Sequence, residues 1–189
     1  MAAICVFCGS SSGSDPLFAE TARRLGAALV AGGHELVYGG GHVGIMGVIA
    51  DAVLAEGGAV TGVMTEQLVA AEVAHLGLTQ LEVTPTMHAR KARMAELSDG
   101  VIVLPGGFGT LDEAFEMITW NQLGLVAVSV VFLDVADYFA PLFEFIDVSV
   151  SAGFVSPANA ALARRASTVD DAVSLAISTP DAFTPKWIG

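Results

Sequence analysis

An α/β fold built on a doubly wound parallel sheet is what this sequence predicts. Three observations carry that prediction. Short apolar runs alternate with longer stretches of helical periodicity from one end to the other, the pattern of parallel strands joined by helical crossovers. The strand-like runs are continuously apolar rather than alternating, as strands covered on both faces are. Three loops rich in glycine or serine each follow a strand and precede a helix, and that sheet edge is where open α/β proteins bind ligands.

The elements follow in order. "AICVFC" reads as a buried strand, and Asp15-Pro16 opens a helix that ends near Gly32-Gly33. Proline at the first helical position and glycine just past the last are ordinary helix punctuation. "ELVY" is a second strand, followed by a helix from about Val43 to Glu56. "AVTGVM", a short helical piece and "LTQLEV" come next, then a helix from Pro85 to about Ser98 that leads into "GVIVL". A helix after Thr110 leads to "AVSVVFL", and another spans about Tyr138 to Ala152. After a turn at Pro157, a final helix covers about Val169 to Ile177. No repeat, low-complexity tract or linker interrupts the pattern, so residues 1–189 read as one domain.

Composition narrows the functional classes. Hydrophobic residues make up 53% and charged residues 15% of the chain, rich enough to suggest surface buried against another subunit. The longest apolar run, "LVAVSVVFL", falls short of the roughly 18 residues of a membrane span. The N-terminus lacks the basic region of a signal peptide, which leads to the expectation of a cytoplasmic protein. A net charge of −12 provides no basic stripe for nucleic acid. Arg90, Lys91 and Arg93 nevertheless place three of the eight cations within four residues, a local excess suited to a bound anion. Cys5 and Cys8 spell C-x-x-C inside a strand, where positions three apart point to opposite faces, so both read as core residues. The four histidines show no metal-ligand spacing.

The three loops are "CGSSSGSD" (Cys8 to Asp15), "YGGGHVGIMG" (Tyr38 to Gly47) and "PGGFGT" (Pro105 to Thr110). Free N–H groups at helix N-termini attract anions, and glycine lets a phosphate approach the backbone, so three such loops on one edge point to a phosphorylated ligand. Gly39, Gly41 and Gly44 match the G-x-G-x-x-G dinucleotide fingerprint, with Glu66 the one fair candidate for the ribose acid. No G-K-[ST] follows any loop, which removes a P-loop nucleotidase. Thr110 to Glu113 also spell a capping box, with Glu113 reaching back to the N-cap amide. Glu113 is thus either a helix cap or a carboxylate at the ligand. On the preceding helix, Arg90 shares an apolar stripe with Met87 and Met94. Its head either snorkels to water or is held inside, aimed at phosphate or a base.

Two motifs, "MHARKARM" and, eleven residues further on, "PGGFGTLDE", carry a resemblance to the LONELY GUY (LOG) family of cytokinin riboside 5′-monophosphate phosphoribohydrolases. "CGSS", "YGGGHVGIMG", "EVAHLGLTQLEV" and "EMITWNQLG" are similar as well, so the likeness covers about Ile4 to Phe154. It implies a Rossmann-like nucleotide-binding fold, hydrolysis of the N-glycosidic bond of a nucleoside 5′-monophosphate such as AMP or an N6-modified relative, no metal or organic cofactor, and a homodimer or larger assembly. It further implies Arg90 and Glu113 as the catalytic pair. Gly106, Gly107, Phe108, Gly109, Thr110, Leu111 and Asp112 form the matching loop, with Lys91 and Glu72 near the substrate. An older description of such proteins as lysine decarboxylases does not suit this chain. Pyridoxal phosphate chemistry needs a Schiff-base lysine, and only Lys91 and Lys186 are present.

The sequence departs from the family where "LVAVSVV" replaces a basic, proline-containing turn and where "LDVADYF" lacks a glycine before the aromatic. Phe108 stands where tyrosine is commoner. These departures bear on the outer pocket, local packing and subunit contacts rather than on the catalytic pair. Two other readings stay open on sequence alone. One is a non-catalytic nucleotide or molybdenum-cofactor carrier, and the other an NAD-dependent oxidoreductase.

Overall fold

The computed structural model describes residues 1–71 and 73–179. Seven strands form one parallel sheet in the order β4-β3-β2-β1-β5-β6-β7. They are β1 (Ala3–Phe7), β2 (Glu35–Tyr38), β3 (Val60–Thr65), β4 (Gln80–Thr84), β5 (Gly100–Val103), β6 (Ser129–Leu133) and β7 (Ala163–Ala166). The chain winds outward from β1 to β4, returns to the other side of β1 with β5, and winds outward again. The reversal leaves a crevice between β1 and β5, at their carboxyl ends, where ligands of such sheets bind.

The crossovers are α1 (Pro16–Ala31), α2 (Gly44–Ala55), α3 (Glu66–Ala70), α4 (Met87–Glu96), α5 (Phe108–Gln122), α6 (Ala140–Ser151), α7 (Pro157–Ala160) and α8 (Val169–Ala176). On one face of the sheet, Leu25 and Leu29 of α1, Ile49 and Val53 of α2 and Ala172 of α8 pack on Ile4, Val6, Leu36 and Ile102. On the other, Met94 of α4 and Ala114 and Met117 of α5 pack on Cys5, Val37, Val101 and Phe132. Cys5 and Cys8 lie in these two opposite cores as the strand periodicity requires, and burial pushes both thiols up from their ordinary pKa. No helix of the described residues is long and apolar enough to cross a membrane.

Two elements differ from the sequence expectation. The strand β7 reads "ARRA", too short and too charged to announce itself. It is an edge strand whose arginines find local partners. Arg164 donates to Ser129 Oγ at 3.0 Å and Ser178 Oγ at 2.7 Å, and Arg165 Nε donates to Asp134 Oδ2 at 2.7 Å. Helix α5 begins at Phe108 with Gly107 as N-cap, three residues before the expected start. The capping box therefore does not form. Thr110 lies inside the first turn, 3% exposed, and Glu113 lies a turn further in.

Before α6, Ala136 and Asp137 adopt left-handed backbone at φ 53° and 56°. A residue with a Cβ occupies that conformation at a cost of about 1 kcal/mol or more. This is the segment where the resemblance leads to the expectation of a glycine.

Candidate active site

Backbone hydrogen bonds lace the three loops together at the crevice. Gly9 N–H donates to Pro105 O at 3.1 Å, and Met46 N–H donates to Gly9 O at 3.3 Å. The third loop is also held from outside, because the Tyr138 hydroxyl donates to Gly106 O at 2.6 Å. At Gly106 a side chain has no room, since an added Cβ would lie 2.1 Å from Thr110 Oγ1 and 2.8 Å from Gly9 N.

A cleft of about 560 Å³ opens above these loops. It is lined by Gly107, Gly109, Thr110, Arg90 and Glu113 and by the apolar side chains of Met46, Met64, Leu68, Val73 and Met87. A smaller cavity of about 300 Å³ adjoins it between Ser10–Gly13 and Tyr138. Side chains cap α1, α3, α4, α7 and α8 from Asp15, Thr65, Thr86, Ser156 and Thr168. Helices α2, α5 and α6 have no such cap, and the N-cap residues of the first two, Val43 and Gly107, line the cleft. First-turn N–H groups lack partners within their helix, so two positive helix ends serve this cleft.

Arg90 forms the wall between the cleft and the sheet. It is 6% exposed, which decides against a head snorkelling to water. Its Nε donates to Val63 O at 2.8 Å, Nη2 to Gly39 O at 3.3 Å and Nη1 to Glu113 Oε1 at 2.8 Å. A guanidinium has five N–H donors, so two remain for a ligand. Gly39 is required for this seat, because a Cβ there would lie 2.3 Å from Nη2. Gly39→Ala is accordingly expected to displace Arg90 and lower any turnover at this site by about a hundredfold. Near-native melting with low kcat is the anticipated result, and unchanged kcat would contradict it.

Glu113 is the partly buried partner of that pair. Burial raises its carboxyl pKa above the ordinary glutamate value, and the Arg90 charge opposes the rise without cancelling it. A carboxyl in this position keeps its proton to higher pH than a free glutamate. If the carboxylate is the working form, the acid limb of kcat/KM is expected above the ordinary value of about 4.3. A limb at or below that value would remove Glu113 from the essential ionisation.

The remaining sequence candidates are placed as follows. Phe108 lines the cleft mouth and is 95% exposed. Lys91 turns away from the cleft, with Nζ 3.0 Å from both Asp112 Oδ2 and Glu116 Oε2 on α5. Lys91 and Asp112 thus brace α4 against α5, and Leu111 packs on the apolar core. Glu72 lies outside the described residues. Sequence reasoning did not find the two carbonyls that seat Arg90, the Tyr138 contact or the apolar cleft wall. The first glycine of the fingerprint signalled Gly39, whereas Val63 O is a backbone acceptor that no side-chain pattern reveals.

Fold and site together define a Rossmann-like class of α/β protein, with two uncapped helix ends at a cleft and a buried guanidinium–carboxylate pair beside them. A family model described as "Possible lysine decarboxylase" matches residues 46–176. The cytokinin riboside 5′-monophosphate phosphoribohydrolase LOG7 of Arabidopsis thaliana is 46% identical over 162 residues, covering 86% of this chain and 73% of that protein. The enzyme of the same name from Rhodococcoides fascians is 45% identical over 156 residues, covering 82% and 79%. The chain belongs to this LOG family. Among solved structures, the molybdenum cofactor binding protein of Rippkaea orientalis superposes with a TM-score of 0.68 at 21% identity, covering 92% of this chain and 94% of that one. The molybdenum cofactor carrier protein of Chlamydomonas reinhardtii gives 0.67 at 20% identity, with the same coverage. These two share the fold.

Proposed function

We propose that this protein hydrolyses the N-glycosidic bond of adenosine 5′-monophosphates, including N6-modified ones, to free base and ribose 5-phosphate. The observation that carries this reading is the Arg90–Glu113 pair at 2.8 Å, buried in a cleft served by two uncapped helix ends. The 5′-phosphate would sit against the amides of Gly107, Phe108 and Gly109. As the bond from C1′ to the base breaks, positive charge develops on the ribose, an oxocarbenium-like state. The Glu113 carboxylate beside C1′ would stabilise that charge and take a proton from the attacking water, whose oxygen becomes the new C1′ hydroxyl. The base leaves with the bonding electron pair. Arg90 would hydrogen-bond the departing base through its two spare N–H groups, and solvent protonates the released base, because a guanidinium does not give up its own proton.

Two carboxylate–guanidinium partners without a metal ion suffice for such a step, so the reading needs no cofactor. Phe145, Val148 and Phe154, all largely exposed apolar side chains on or after α6, support a homodimer in which a second copy covers them. Chromatography of products tests the reading. Purified protein is incubated with AMP, N6-isopentenyl-AMP and the matching nucleosides. Free base from the monophosphates alone is the expected result. Intact nucleotides throughout, from folded protein, would overturn it in favour of a binding protein.

A further inference from the structure

His75 lies beside the cleft, and the chemistry above does not use it. Its side chain is 12% exposed, and both ring nitrogens are engaged. Nδ1 accepts from Gly77 N–H at 3.1 Å, and Nε2 lies 3.0 Å from Asp51 Oδ1 on α2. The first contact leaves the proton on Nε2, so the ring donates to Asp51 in its neutral form.

The backbone around His75 leads to the catalytic pair. His75 N–H donates to Gly40 O at 2.9 Å, and His42 N–H donates to Val73 O at 3.0 Å. Gly41 and Ala74 thereby form an isolated antiparallel bridge beside a wholly parallel sheet. Residues 73–79 belong to no helix and no strand of that sheet, so this short bridge is what joins the segment to the glycine loop. Val73 lines the cleft on one side of the bridge. On the other, Gly40 is bonded in sequence to Gly39, whose carbonyl seats Arg90 Nη2. A shift of the bridge moves the wall of the cleft and an acceptor of the guanidinium together.

We infer that His75 is a positioning residue. Through its bond to Asp51 it ties the segment Val73–His75 to α2, holds the loop Gly39–Gly41 in place, and so fixes the setting of Arg90. The inference rests on the proposed hydrolysis for its kinetic consequence, but the tie itself has an independent readout. Asp51 is mostly solvent-exposed, so water screens its bond to His75 and the bond adds little to global stability; its effect belongs in turnover rather than in melting.

The test compares His75→Ala, Asp51→Ala, their double variant and Asp51→Asn, with AMP as substrate. Asparagine keeps an oxygen acceptor for Nε2–H and should behave as wild type. Each alanine variant should lose about tenfold in kcat with KM within about twofold, and the double variant should be no worse than either single. Hydrogen exchange at the amides of His42 and His75 should quicken in the alanine variants while melting temperatures stay close to wild type. Unchanged kcat in the alanine variants, additive losses in the double variant, or equal damage from Asp51→Asn would overturn the inference. A wild-type protein that leaves AMP intact would count against the proposed hydrolysis. Exchange then decides the tie by itself, and unaltered rates at His42 and His75 would refute it.

Discussion

Glu113→Gln is expected to lower turnover by about a thousandfold or more while leaving the fold intact, the scale on which removing a charged transition-state partner acts. Glutamine matches glutamate in size and retains an oxygen to accept the Arg90 Nη1 hydrogen bond now made at 2.8 Å. It cannot stabilise positive charge on a ribose or accept a proton from water. Its stability follows from the raised pKa of the native carboxyl. A carboxyl whose folded pKa lies above its unfolded value favours folding most when protonated, and that contribution is lost as pH rises through the folded pKa. The neutral amide escapes this loss at neutral pH but gives up the charge partner of Arg90. Near-native melting with turnover abolished is the anticipated result. Full activity in this variant would exclude Glu113 from the chemistry.

Arg90→Ala is the harsher change, since it should abolish turnover and also weaken the fold. The deletion leaves Glu113 without its ion partner and leaves Val63 O and Gly39 O without the donors they now have. The two side chains of the pair are only 7% and 13% exposed, and removing one partner of a buried pair costs roughly 3–5 kcal/mol. Denaturant unfolding measures this cost directly. Arg90→Lys restores a charge but not the planar fork that reaches two carbonyls and a carboxylate together, so it should recover stability better than activity. Unchanged turnover in Arg90→Ala would leave the residue a structural role alone.

These residues also show which physics a sequence displays. The sheet was legible because its interior strands are covered on both faces and therefore mostly apolar. Edge strand β7 was not, because its register is held by Arg164 and Arg165 rather than by an apolar run. The start of α5 was misread because Thr110-x-x-Glu113 satisfies the capping pattern by spacing. Packing decided otherwise, as Thr110 fills the space left by Gly106 and leaves Gly107 to begin the helix. Arg90 was placed on an apolar stripe correctly, yet spacing alone left its head either in water or inside. Only the converging carbonyls of Val63 and Gly39, which no side-chain pattern encodes, hold it inside. Lys91 shows the reverse case. Its place beside Arg90 in the motif suggested a ligand contact, but a neighbour in helical sequence points about 100° away, and here that direction leads to Asp112 and Glu116.

The charged borders of the sheet have a consequence for how copies can meet. At one border, β7 carries Arg164 and Arg165 with their hydrogen-bonded partners. At the other, Glu82 of β4 is gripped by Arg93 through two bonds of 2.7 and 3.1 Å. Pairing of either rim with its own copy, β7 on β7 or β4 on β4, would bring like-charged rows together. Self-pairing of the sheet edges is disfavoured at both rims, as edge strands carrying charged side chains are.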